Sequence, residues 1–230
     1  MFIASFATGP WQANCYLIRR DHASETVAVD PGVDAAAMLT QLLQEHDWTL
    51  AGVLCTHAHV DHIADAARLA NVTHVPLWLH SADDYMLTQP SAGLGADSIP
   101  LMKQLFGADE LEAPVLREDL AGVSAITVAG ITFQVTHTPG HTPGSVVFTV
   151  PQDDGDLAFV GDLVFAGSIG RTDLPGGDPQ QMVASLRRVV LGWDDATKLL
   201  PGHGETTVLA RQRVVNPYLQ VQFLESSWLG

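Results

Sequence analysis

The stretch Ala51-Gly52-Val53-Leu54-Cys55-Thr56-His57-Ala58-His59-Val60-Asp61-His62 decides the reading of this chain. Its first part, Ala51–Cys55, has the composition of a buried strand. Three histidines and one aspartate then follow within six positions, 57–62. The loop leaving a strand end can aim several side chains at one point. Imidazole nitrogen and carboxylate oxygen are ligands that zinc and similar divalent ions prefer. Asp61 opens a predicted helix, Asp61–Ala70, which sets a carboxylate near the positive helix end. One histidine there would read as a solvated loop residue; the pattern HxHxDH after a buried strand reads as a metal site.

Three further segments share the same form, a chemically capable residue just beyond an apolar strand or at a Pro-Gly break. They are Thr138-Pro139-Gly140-His141-Thr142-Pro143-Gly144-Ser145, Phe159-Val160-Gly161-Asp162 and Leu199-Leu200-Pro201-Gly202-His203-Gly204. Each alone would pass as a turn residue. Together with the first cluster they offer His57, His59, Asp61, His62, His141, Asp162 and His203. That is too many donors for one tetrahedral zinc. It suits two divalent ions sharing a carboxylate, zinc first, with iron or manganese also compatible with these donors.

Working outward, short β-like runs come at Phe2–Phe6, Cys15–Ile18 and Thr26–Val29, before a break at Pro31-Gly32. A helix capped by Asp34 should present Leu39, Leu42, Leu43 and His46 on one face. Val75–Leu79 reads as a strand. Residues 88–122 are rich in Gly, Pro and Asp around a short helical piece near Leu101–Phe106, and read as a surface insertion. Strands return at Ala125–Val128, Ile131–Thr136, Ser145–Val150 and Leu157–Val160, the last two joined by a turn at Asp153-Asp154-Gly155. Asp178-Pro179 opens a helix through a cap and a first-position proline, with Met182, Leu186, Val189 and Val190 as its apolar stripe. A strand at Thr197–Leu200 and a helix near Thr206–Val214 follow. Two groups of strands, each with helices, predict two packed sheets with helices outside, in one domain over 1–230.

Composition narrows the class. Hydrophobic residues make up 47% of 230, enough for a sizeable core, and the net charge of −15 disfavours nucleic acid as a partner. Cys15 and Cys55 form no CxxC pair, which excludes a thiolate zinc site and fits a reducing compartment. No run of 18 apolar residues predicts a membrane span, and the first residues lack the form of a signal peptide; a cytoplasmic protein is expected. There is no P-loop and no GxSxG elbow. Cys55, on an apolar strand, reads as core. His22, His46, His74, His80 and His137 read as structural or solvated, and Trp11, Trp48, Trp78, Trp193 and Trp228 as packing.

From about residue 10 to about 217 the motifs resemble the metallo-β-lactamase fold superfamily, and within it the short glyoxalase II-like hydrolases. The resemblance implies an αββα sandwich of two mixed β-sheets with outer helices, and a site at one edge of the sheets. It also implies that His57, His59 and His141 hold one metal, that Asp61, His62 and His203 hold a second, and that Asp162 bridges them. Asp61 and Asp162 are then the catalytic carboxylates, and the substrate is a small thioester of the S-lactoyl-thiol type. Gly167-Ser168-Ile169-Gly170-Arg171-Thr172-Asp173 resembles a segment of the shorter glyoxalase II-like proteins, and a GRTD segment also occurs in persulfide dioxygenases. Arg171 reads either as an anion contact for substrate or as half of a structural ion pair. Glyoxalase II proteins bind glutathione through basic residues of a C-terminal helical region; no Lys or Arg follows Pro217 here, so weak discrimination among acyl-thiols is expected. Two other activities fit the same motifs. One is a mononuclear iron persulfide dioxygenase using His57, His141 and Asp162, and the other is a lactone or β-lactam hydrolase.

Overall fold

The computed structural model describes residues 1–225, apart from the side chain of Val190; Trp228 lies outside the described residues. The first sheet holds β1 (Phe2–Thr8), β2 (Ala13–Arg19), β3 (Glu25–Val29), β4 (Thr49–Leu54), β5 (Leu77–Leu79) and β6 (Arg117–Asp119), in that spatial order. Its first three strands are antiparallel and the remaining pairings are parallel. Its helices are α1 (Ala35–Glu45), α2 (Val60–Ile63), α3 (Ala66–Thr73), α4 (Asp84–Leu87), α5 (Ser91–Leu94) and α6 (Ile99–Phe106).

The second sheet is built from β7 (Ala125–Val128), β8 (Ile131–His137), β9 (Val146–Val150) and β10 (Leu157–Gly161), followed after a small hairpin of β11 (Val164–Phe165) and β12 (Ser168–Ile169) by β13 (Lys198–Pro201) and β14 (Thr207–Val208). The order across that sheet is β14-β13-β10-β9-β8-β7, with β10 and β13 parallel and the other pairs antiparallel. Helices α7 (Pro179–Gly192), α8 (Leu209–Val215) and α9 (Val221–Glu225) complete the described chain.

The strand period of two sorts the apolar residues into layers. On β2, Cys15 and Leu17 face Leu39 and Leu43 of α1 and Leu69 of α3, whereas Tyr16 and Ile18 face the other sheet. There they join Phe133, Phe148, Phe159 and Leu200 in the core between the sheets. Beyond the second sheet, Val147, Ala158, Val160 and Leu199 pack on Met182, Leu186 and Val189 of α7. The result is helix, sheet, sheet, helix, the αββα sandwich of two mixed sheets that the resemblance implied.

Local departures from expectation have identifiable causes. Asp34 adopts a left-handed conformation, φ 64°, and its side chain does not cap α1. The Asp65 carboxylate takes that place and accepts from the Ala36 N–H at 2.8 Å. The Asp65 N–H donates to the carbonyl of Pro31 at 3.1 Å. The expected helix 61–70 is accordingly split into α2 and α3 on either side of 64–65. The last expected helix begins later, at Leu209, because Thr207 and Val208 pair with β13. The edge strand β6 was not legible, since its residues Arg-Glu-Asp carry no apolar alternation. Asp178 does cap α7, accepting from the N–H groups of Gln180 and Gln181.

Gly32 shows how closely the first sheet's loop approaches the HxHxDH segment. A Cβ built there would lie 1.7 Å from the carbonyl oxygen of Asp61. Gly32→Ala must therefore push α2 away from the loop after β3. Overpacking of this kind costs about 1–3 kcal/mol, and the urea unfolding midpoint should fall accordingly. A midpoint equal to wild type would show that the two backbones are not in contact.

Candidate metal centre

All four site segments leave strands at one edge of the sandwich. The Thr56–His62 loop follows β4, Asp162 follows β10, and His203 follows β13, while His141 sits in the turn between β8 and β9. The Asn14 and Tyr16 side chains of β2 fasten the His203 loop. Asn14 Nδ2 donates to the carbonyls of Pro201 and Gly204, each at 2.9 Å, and the Tyr16 hydroxyl donates to the Pro201 carbonyl at 2.6 Å. Gly202 has to be glycine, because a Cβ there would stand 2.2 Å from Asp162 Oδ1 and 2.6 Å from His62 Cε1.

The seven side chains named from sequence come together in two groups. Donor atoms of His57, His59 and His141 lie within 4.8 Å of one another, as do those of Asp61, His62 and His203. Asp162 reaches both groups: its Oδ1 is 3.5 Å from His62 Nε2, and its Oδ2 is 3.4 Å from His141 Nε2 and 3.6 Å from His203 Nε2. Within the groups, His59 Nδ1 faces His141 Nε2 at 2.8 Å, and His62 Nε2 faces His203 Nε2 at 3.3 Å. Two ring nitrogens at such distances need a proton or a cation between them.

The opposite ring nitrogens set which atom faces inward. Thr56 Oγ1 donates to Asp30 Oδ2 at 2.6 Å, so at 3.1 Å it is an acceptor for His57 Nδ1–H. His62 Nδ1–H has Asp30 Oδ2 at 3.2 Å, and His141 Nδ1–H donates to the Arg171 carbonyl at 2.7 Å. The Nε2 lone pairs of His57, His62 and His141 are left for the site. His57 Nε2 and Asp162 Oδ1 are buried without any hydrogen-bond partner, and His59 presents Nδ1, the atom facing His141, to the site. Buried polar atoms are otherwise almost always partnered, and a bound cation would satisfy His57 Nε2 and Asp162 Oδ1. The residues present therefore fit a metal centre.

The electrostatics agree. Burial, reinforced by the neighbouring His62 and His141, pushes His57 well down, and burial with His141 brings His59 to about 3. These rings are neutral donors. Burial would lower His62 as well, but Asp61, Asp162 and Asp30 outweigh it and raise the ring to about 10. The second group thus demands positive charge, a proton in the metal-free protein or a metal ion in its place. Asp61 is held below the usual carboxylate range, against its burial, by His62 and His203.

A cavity of about 360 Å³ opens onto the two groups. Trp11, Leu94, Phe165, Ile169 and Leu174 line it, with Arg171. Trp11 is therefore part of the cavity wall, where the sequence suggested packing rather than a binding surface. The Arg171 guanidinium forms a two-point ion pair with Asp173, both contacts at 2.7 Å.

Sequence reasoning missed two buried carboxylates. Asp30 also accepts from the Thr56 N–H at 2.7 Å and adopts φ 51°. It follows an apolar strand just as Asp162 does, and that signal was available. Asp83 carried no such signal. It accepts from the Ala58 N–H at 3.0 Å, the Thr142 hydroxyl at 2.7 Å and the Gly144 N–H at 2.6 Å. One carboxylate thereby ties the loop of His57 and His59 to the loop of His141.

Comparison with known proteins adds the following. The family model described as Metallo-beta-lactamase superfamily matches residues 8–203. An uncharacterised protein of Mycobacterium tuberculosis (strain ATCC 25618 / H37Rv) is 40% identical over 96% of this chain and 98% of its own length. Hydroxyacylglutathione hydrolase GloC of Haemophilus influenzae is 33% identical over 91% of this chain and 93% of its own. Among solved structures, the BLEG-1 B3 metallo-beta-lactamase has a TM-score of 0.82 at 32% identity, covering 95% of this chain and 99% of that one. TTHA1623, solved in a di-iron-bound form, has a TM-score of 0.75 at 33% identity, covering 95% and 100%.

The Asp83 link leads to a test. Asp83→Ala strands three donors in a buried site and releases two ligand loops from each other. Loss of a partner that orients metal ligands weakens metal binding about 10- to 100-fold. Competition with a chromophoric chelator should show that loss, with Asp83→Asn between the alanine variant and wild type. Wild-type affinity in Asp83→Ala would mean that the loops hold their positions without it.

Proposed function

We propose that this chain, which belongs to the metallo-beta-lactamase superfamily, is a two-metal hydrolase of small thioesters. The observation that carries the reading is Asp162, whose two oxygens face both histidine groups. In this reading His57, His59 and His141 hold one divalent ion, Asp61, His62 and His203 hold the other, and Asp162 is shared. Zinc is the metal proposed first; iron or manganese suits the same donors. Bound there, two divalent ions supply Lewis acidity and make hydroxide available near neutral pH.

The chain's own residues do the rest. Asp61 Oδ2, 3.2 Å from His203 Nε2, stands at the open side of the site, where it can accept a hydrogen bond from the attacking nucleophile and orient it. Asp30, Thr56 and the Arg171 carbonyl hold the imidazoles in one tautomer, so the donors need no rearrangement during the reaction. The apolar wall excludes bulk water from the carbonyl under attack. A thioester releases a thiolate, which leaves without a strong acid, and no protonated side chain is required opposite the nucleophile. The likeness to GloC supports a thioester, and that to a di-iron-bound neighbour supports two metals. The likeness to BLEG-1 makes a β-lactam the second substrate class to assay.

The cytoplasm is the proposed location, because Cys15 and Cys55 are free thiols. Among the described residues no helix is long and apolar enough to cross a membrane.

The competing chemistry is an iron persulfide dioxygenase, suggested by the GRTD segment 170–173. It would use His57, His141 and Asp162 and tolerate loss of the second group. Here His203→Ala should abolish thioester hydrolysis, and wild-type turnover should be equal in air and under argon. Oxygen uptake by the iron form with glutathione persulfide, retained in His203→Ala, would establish the dioxygenase instead.

A further inference from the structure

The cavity wall and the Arg171–Asp173 ion pair at its mouth bear on which thioester this site takes. Five half-buried apolar side chains, Trp11, Leu94, Phe165, Ile169 and Leu174, surround the approach to the metal ligands. They come from three separate segments of the chain, so the wall is assembled by the fold. Phe165 also packs edge-on to the His203 ring, with centroids 5.9 Å apart, which carries the apolar surface up to the metal ligands themselves. Among the described residues, Arg171 is the only Lys or Arg lining the cavity.

That cation is already engaged. Arg171 Nε and Nη2 donate to the two oxygens of Asp173, each at 2.7 Å, a two-point contact that fills one edge of the guanidinium and balances its charge. The same contact holds Asp173 at about 2, so the pair is ionised and neutral as a unit through the ordinary pH range. An incoming carboxylate must displace Asp173 or take the remaining Nη1–Nη2 edge of a guanidinium whose charge Asp173 already balances. It also approaches a protein of net charge −15.

We infer that the site selects acyl-thiols whose carrier is uncharged and apolar, and that Asp173 sets this selectivity by occupying Arg171. The inference rests on the thioester reading and narrows it. In the reaction the carbonyl carbon–sulfur bond breaks and a carbon–oxygen bond forms from water, leaving a carboxylate, a thiol and one proton. The acyl group meets the metal ligands while the carrier lies along the apolar wall. Asp173 touches neither and acts through Arg171, as a positioning residue.

The test uses the metal-loaded protein and two carriers for one acyl group, the lactoyl thioesters of N-acetylcysteamine and of glutathione. The neutral carrier should have kcat/KM at least about 10-fold higher, equivalent to about 1.4 kcal/mol in the transition state. Asp173→Asn should shrink that ratio at least about threefold by freeing Arg171 for the glutathione carboxylates. Binding supplies a readout independent of turnover: calorimetry with the uncleavable S-hexyl thioethers of both thiols should give the same order of preference and the same narrowing in the variant. If neither thioester is hydrolysed, the thioester reading fails, and the thioether ratio still decides the selectivity. Preference for the glutathione carrier in wild type, or a ratio that Asp173→Asn does not change, would overturn the inference.

Discussion

An unpartnered buried donor or acceptor costs about 1–3 kcal/mol, and two such atoms, His57 Nε2 and Asp162 Oδ1, meet at the edge of this sandwich beside the facing ring nitrogens His59 Nδ1 and His141 Nε2. Their demand for a cation organises what surrounds them. The strands end where they do so that loops from both sheets can deliver ligands to one place. Glycine stands at 202 because the backbone must pass within contact of Asp162 and His62. Asp30 and Asp83, both buried, have no role in the hydrophobic layers; their oxygens are spent on the loops that carry the imidazoles.

The same arrangement explains what could be read from the sequence. Positions just beyond apolar strands were legible, because a strand end is a local event and the residue after it needs only to be polar and chemically capable. His57, Asp162 and His203 were found that way, and the structure gathers them with His59, Asp61, His62 and His141. The two-layer strand grouping was legible from alternation and turn residues. Asp83 was not, because its partners lie 25, 59 and 61 residues away and its own neighbours say nothing of them. The cap of α1 was misread for a similar reason. Asp34 is the right residue type in the right place, but Asp65, 29 residues beyond Ala36, reaches the Ala36 N–H instead.

Arg171 shows a third kind of limit. From sequence it was either an anion contact or half of an ion pair, and its backbone had no part in the reading. In the structure the residue works at both ends, with its carbonyl on His141 Nδ1 and its guanidinium on Asp173. The first fixes a candidate ligand's tautomer and the second neutralises the charge at the cavity mouth. Chemistry and selectivity thereby share one short segment, 170–173, on the loop between β12 and α7.

The central claim is that the two groups hold two metal ions with Asp162 between them. Anomalous diffraction from crystals of the protein loaded with zinc tests it most directly. The account predicts two peaks per chain, about 3.5–4 Å apart, one among His57, His59 and His141 and the other among Asp61, His62 and His203, with the Asp162 carboxylate contacting both. A single peak at full occupancy in a fully active protein, or two peaks with Asp162 turned away, would contradict it.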